Sequence, residues 1–263
     1  MKKYLKILIL PLILLISLTG CGKSENKDTA QIENDLINKK EIFSKCLKEK
    51  DLSSYILKVN FEETLISKSN DKKEMNVSEG KVEMTKDPMT YHSKWKDDNG
   101  GNVIETEEYV FDGKVKYYRK DNGEWIKQDI GEKIESSQEE SMNFVSTYEI
   151  NPNSLLDSLE DYFTLTESGD VYTVELISNS ENIDEIKNIL FDNSKNNSIY
   201  GELTSLKVVM SFQKDNYYPV SFDLDSTFLN KDNYNETEIK QTGKYEEVNK
   251  LKNIEIPEEL KKL

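Results

Sequence analysis

The side chains with which this 263-residue chain could do chemistry are few: one His, two Cys and many carboxylates. A catalytic triad or a His-based metal site would have to be built around His92 alone. No Gly-x-Ser-x-Gly turn, His-Glu-x-x-His pair, phosphate loop or dinucleotide fingerprint accompanies it. His92 alternates with Tyr91 in a strand-like run and reads as a solvated residue. Asp97-Asp98-Asn99 lacks the alternating oxygen ligands and closing Glu of a calcium loop, and with Gly100-Gly101 it reads as a hairpin turn. Asp223 and Asp225, two apart in a strand, share a face and could share a cation, although solvated carboxylates are the commoner outcome. No carboxylate pair is marked for acid–base work. Cys46 reads as a small buried hydrophobe. These residues predict no catalytic site, no metal site and no cofactor, hence a protein that is not an enzyme.

Cys21 carries a different chemistry. Lys2, Lys3 and Lys6 precede Ile7 to Ile16, a run that is aliphatic except for Pro11 and too short to span a membrane. Leu18-Thr19-Gly20-Cys21 follows and resembles the lipobox of bacterial lipoproteins: an aliphatic residue, two small ones, then Cys. The resemblance implies cleavage between Gly20 and Cys21 and a thioether from Cys21 to diacylglycerol. Each buried methylene of the acyl chains contributes about 0.8 kcal/mol, so two chains anchor where one is marginal. The expected organisation is a lipoprotein signal peptide over 1–20, a flexible polar tether over 21–30 and a single domain over 31–263. The mature chain is then lipid-anchored on the extracytoplasmic face of the cell membrane.

The formal charge of −15 and a pI near 4.7 argue against a nucleic-acid partner, which needs a basic footprint. With 14 Tyr, 9 Phe and 2 Trp, the chain has enough large apolar side chains for a core and is not a disordered polymer.

The elements that must position these residues are legible from periodicity. Gln31 to Lys50 reads as an amphipathic helix through Ile32, Leu36, Phe43 and Leu47. From Ser53 to Gln128 the period is two, broken by Asp112-Gly113 and Asp121-Asn122-Gly123, and predicts an antiparallel meander. Asn151-Pro152 predicts a helix start, with Leu155, Leu156, Leu159 and Tyr162 as its stripe. A strand pair around Phe163 to Ile177 follows, then a helix capped by Ser180 and carrying Ile183, Ile186, Ile189 and Leu190. Strands return with Leu206 to Phe212, Val220 to Phe228 and a polar strand over Glu236 to Val248 that reads as near an edge.

This order of motifs resembles the LolA/LolB-like superfamily, including the LppX-type lipoproteins, and in particular Gram-positive bacterial lipoproteins of that type. The residues that carry it are Gly80-Lys81-Val82-Glu83-Met84, Pro88-Met89, Glu108 to Gly113, Glu124 to Lys127, Tyr217 to Val220 and Ile254 to Pro257. The resemblance implies an α+β fold: a strongly curved antiparallel sheet, an unclosed half-barrel, with helices packed on its concave face. It also implies a lipid-like ligand held between sheet and helices, and no catalytic residue. The strand residues expected to line such a site are Tyr55, Phe61, Met84, Tyr91, Trp95, Tyr109, Val208, Met210, Phe212, Val220 and Phe222. Alternation alone leaves two readings open, because a ligand cavity and a packed core bury the same face. The second reading is a solid-core interaction or sensor module that acts on other envelope proteins through its acidic surface.

Overall fold

In the computed structural model the described residues are 39–46, 52–129, 162–190, 201–230 and 235–262. The expected signal peptide and tether, Cys21 and the apolar stripe at 151–161 lie outside them. The chain divides into two units, Met1–Ile42 and Phe43–Leu263. Of the first, only residues 39–42 are described, within a helix described over 39–46 (α1).

The second unit is built on one eleven-stranded, unclosed antiparallel sheet. The first meander is β1 (Ser54–Ser67), β2 (Lys72–Lys86), β3 (Met89–Asn99), β4 (Asn102–Phe111), β5 (Val115–Lys120) and β6 (Ile126–Asp129). The second meander is β7 (Phe163–Ser168), β8 (Val171–Ile177), β9 (Glu202–Gln213), β10 (Pro219–Asn230) and β11 (Asn235–Glu246). They join where β1 pairs with β11, so the spatial order is β6-β5-β4-β3-β2-β1-β11-β10-β9-β8-β7. Helix α2 (Ile183–Leu190) connects β8 to β9.

The hairpins are set by turn chemistry. At the β4–β5 turn Asp112 and Gly113 both have positive φ (49° and 63°), and the Lys114 amide donates to the Phe111 carbonyl at 2.9 Å. That pair of left-handed residues matches the right-handed twist of the flanking strands. Gly100 and Gly101 (φ 63° and 95°) play the same part between β3 and β4. The turn is only those two residues: β3 extends through Asp97 and Asp98, and Asp98 Oδ1 accepts from the Gly101 amide at 2.7 Å.

Three expectations are corrected here. The fold is not α+β with a helical layer on the sheet. It is a predominantly antiparallel β architecture, with two eight-residue helices among the described residues. Strands of 12 to 15 residues dominate where period-two alternation persists. The polar strand β11 is not at an edge. It lies between β1 and β10 in the middle of the sheet, because the two meanders close on one another there. Finally, the turn before α2 is organised by Asn179 rather than Ser180. Asn179 Oδ1 accepts from the Glu181 and Asn182 amides at 2.8 and 3.1 Å, and Asn182 Oδ1 accepts from the Asn179 amide at 2.6 Å.

Cross-strand register sorts the side chains into two faces. One is apolar. Near the β8–β10 end it holds Leu176, Leu203, Leu206, Phe228 and Ile239, against which α2 places Ile186 and Ile183. Toward β2 it holds Tyr55, Leu57, Val59, Val82 and Met84. On α1, Phe43 is buried with its ring 5.5 Å from that of Phe163, and Cys46, three residues on, is buried as well. The other face is charged over most of its area. At β4 and β5 it is apolar instead, and there the segment after β11 covers it, packing Ile254 and Leu260 against Tyr109 and Tyr117.

Candidate ligand-binding face

The apolar face is assembled in rows that run across the strands. In one row Tyr91 of β3 lies opposite Met84 of β2, which lies opposite Tyr55 of β1. A second runs Trp95, Gly80, Val59, Gly243, Phe222, Met210 and Val174. A third runs Phe61, Gln241, Leu224, Val208 and Leu176. Beyond the second row, Phe212 lies opposite Tyr172.

Nine of the expected lining residues are therefore brought onto one face: Tyr55, Phe61, Met84, Tyr91, Trp95, Val208, Met210, Phe212 and Phe222. The register places neither of the other two there. Val220 is the extra residue of a bulge, between Pro219 opposite Phe212 and Ser221 opposite Ser211, and has no partner in the β9 register. Tyr109 is on the charged face, opposite His92 and Tyr117. At Tyr109-Val110-Phe111 alternation fails because both faces of β4 are covered. Three consecutive apolar residues carry no phase.

The second row explains its two glycines. A Cβ on Gly80 would fall 2.3 Å from the Trp95 ring, and one on Gly243 would fall 2.1 Å from the Phe222 ring. Both aromatics thus lie flat across a neighbouring strand on either side of Val59, a packing that only a residue without a side chain permits.

The phenols of this face are neutral. Burial raises the Tyr55 phenol well above its ordinary range, helped by Tyr245 and Tyr91; burial raises Tyr91 and pushes Tyr245 up to about 12. All three remain protonated at physiological pH. Gln241 is 1 % exposed, and neither its Oε1 nor its Nε2 has a hydrogen-bond partner. Sequence reading missed Gln241 because β11 looked like a polar edge strand. The signal was its phase, two residues from Ile239 and two from Gly243, on the row positions of Phe61 and Leu224.

His92 departs from expectation as well. Its side chain is 14 % exposed and not solvated. It stacks on Tyr109 with ring centroids 4.1 Å apart. Nδ1 lies 2.7 Å from Glu83 Oε2 and Nε2 lies 3.0 Å from Glu107 Oε1, so both contacts are hydrogen bonds when the ring carries two protons. Arg119, the only Arg, donates from Nε and Nη2 to Glu107 Oε2 at 3.0 and 2.6 Å and stacks over Trp125 at 4.5 Å. The Trp125 indole donates to Glu259 Oε1 at 2.6 Å, which ties the C-terminal segment to this network. His92, Arg119 and Trp125 thus clamp β2, β4 and the C-terminal segment together through Glu83, Glu107 and Glu259. Neither Asp223 nor Asp225 joins a metal-ligating cluster among the described residues.

The clamp makes stability acid-sensitive. Burial pushes the Glu83 and Glu107 carboxyls up, but hydrogen bonds and charge from Lys81 and His92 on Glu83, and from Arg119 and His92 on Glu107, outweigh it and lower both. A lowered folded-state value stabilises above the unfolded carboxylate range, near about pH 4.3, and that contribution is lost as pH falls through the folded value. Unfolding midpoints in urea are therefore expected to drop steeply below about pH 4.3. Glu107→Gln should make the drop shallower. A parallel pH dependence for that variant would mean that Glu107 is not part of the acid response.

The sheet and its apolar face define an all-β protein with an open antiparallel sheet. The chain belongs to the Family of unknown function (DUF6612), whose sequence model matches residues 38–263. No curated protein matches it. Solved structures similar to it include two at 10 % identity each. One is a beta-barrel-like protein of the domain of unknown function DUF1849 from Brucella abortus, over 74 % of this chain and 97 % of that one, with a TM-score of 0.23. The other is a LolA superfamily protein from Nitrosomonas europaea, over 84 % of this chain and 96 % of that one, with a TM-score of 0.19. Among the described residues no helix is long and apolar enough to cross a membrane.

Proposed function

We propose that this chain is a lipid-anchored, extracytoplasmic lipoprotein that binds an apolar, lipid-like ligand on the apolar face of its sheet and catalyses no reaction. The observation that carries the binding reading is the gathering of nine large apolar side chains from β1, β2, β3, β9 and β10 onto one face. Toward β2 that face is built from strand and loop residues, without a helix residue from among those described. Native mass spectrometry of protein extracted from membranes tests it. Expected is a mass carrying a bound lipid. A clean apo mass, together with no binding of a neutral apolar dye, would favour the solid-core interaction module.

Anchoring is read from the lipobox at Leu18 to Cys21. Cys21→Ala is expected to abolish acylation, leaving the precursor uncleaved at this site or released from the membrane. Detergent-phase partitioning with intact mass measurement checks this. A mature-sized variant that still partitions into detergent would overturn the anchor.

A further inference from the structure

Gln241 sits where the two apolar clusters of the face meet, opposite Phe61 on β1 and Leu224 on β10. An amide offers two donors and one acceptor oxygen, and at 1 % exposure these are unpaired. Nothing beside it in its row can pair with it, and a chain folded for stability alone would place an apolar residue here.

In the rows centred on Gln241, from β3 to β8, the ionisable side chains are Asp97 and Glu63, both carboxylates. Glu63 already accepts a hydrogen bond from Asn76 Nδ2 at 3.1 Å. Among the described residues of these rows no cation stands to hold an anionic group, and the Tyr91 and Tyr245 phenols stay neutral.

We propose that Gln241 is the hydrogen-bonding anchor of this face. It holds an uncharged polar group, an ester carbonyl or a hydroxyl, of a ligand whose body is hydrocarbon. The inference rests on the ligand-binding reading of the face and adds the chemistry of the ligand's head. An anionic head would be buried beside carboxylates with no counter-charge. A hydrocarbon without a polar group would leave the amide unpaired. An ester or hydroxyl can satisfy the amide without bringing a charge.

The test is displacement of a neutral apolar dye, N-phenyl-1-naphthylamine, from the membrane-extracted, delipidated protein by three probes with one chain: monooleoylglycerol, oleate and oleylamine. Monooleoylglycerol is expected to bind at least about tenfold more tightly than the other two, the effect of one good hydrogen bond. Gln241→Leu should lose that preference by about tenfold while binding the dye as before and melting no lower than the wild type. If the Leu variant does not fold, Gln241→Met, closer in length, gives the same readout.

Oleate or oleylamine binding as tightly as monooleoylglycerol would overturn the proposal. So would a variant that keeps the wild-type preference, as expected if the amide takes only a buried water. In both cases the dye is still bound, so the ligand-binding reading stands and only the role of Gln241 falls. Wild-type protein that binds neither dye nor probe removes both.

Discussion

Phe228→Ala is expected to destabilise the domain by about 3–5 kcal/mol, the range for truncating a fully buried aromatic. Phe228 is 2 % exposed and is the largest of the fully buried side chains. It packs in the cluster of Leu176, Ile186, Leu203, Leu206 and Ile239, where the second meander meets α2. Its environment cannot readily collapse into the void. The register between β9 and β10 shifts between Thr227 and Phe228, so the backbone there is already held by a bulge, and β11 pairs on the other side through Thr237. The loss should appear as a lower urea midpoint with an unchanged slope. Asp223→Ala, on the charged face, is the control and should stay within about 0.5 kcal/mol. A Phe228→Ala loss below about 1 kcal/mol would mean that the cluster is looser than its burial implies.

Ending the chain at Glu247 is expected to cost about 3–6 kcal/mol from two side chains alone, Ile254 and Leu260, at about 1.5–3 kcal/mol each. They are 9 % and 3 % exposed and cover Tyr109 and Tyr117. The truncation also removes Glu259, the acceptor for Trp125, and Asn249, whose Oδ1 accepts from the Ser53 amide and hydroxyl at 2.7 and 2.9 Å. The sheet itself ends at Glu246, so all its strands are retained. The expected phenotype is a lower melting temperature together with new binding of an apolar dye at the uncovered Tyr109, Tyr117 and Phe111 surface. Leu260→Ala should reproduce part of the loss, about 2–4 kcal/mol. If the truncated chain melted with the full one, the C-terminal segment would be an ornament of the charged face, not part of its core.

Both effects belong to tertiary contacts that join distant parts of the chain, and they mark where sequence reading succeeds and where it stops. The hairpins from β3 to β6 were legible because their turns announce themselves: Gly100-Gly101 and Asp112-Gly113 supply left-handed residues between alternating strands, and Asp121-Asn122-Gly123 breaks the next pair. The side of the sheet that Tyr55, Phe61, Met84, Tyr91 and Trp95 occupy was legible for the same local reason, since alternation within a strand sets its apolar side. The extent of helix was not. The stripes over Gln31 to Lys50 and Ile183 to Leu190 do carry helices, α1 and α2, among the described residues, but two helices make no layer on the sheet. Helices of two turns depend on packing rather than on propensity.

What the amino-acid order determined by itself is what a window of a few residues contains: strand phase, turn position, and the basic-apolar-Cys pattern of the amino terminus. What only the tertiary structure decided is which strands become neighbours. Pairing of β1 with β11 turned a polar strand into a central one and carried Gln241 into the apolar face. The return of residues 247–262 across β4 and β5 buried Tyr109, on which His92 stacks. In both cases the deciding partners lie far apart in the chain: Phe61 and Gln241, Tyr109 and Leu260. A residue's own pattern reports how its strand alternates, whereas burial of its face depends on what else arrives there.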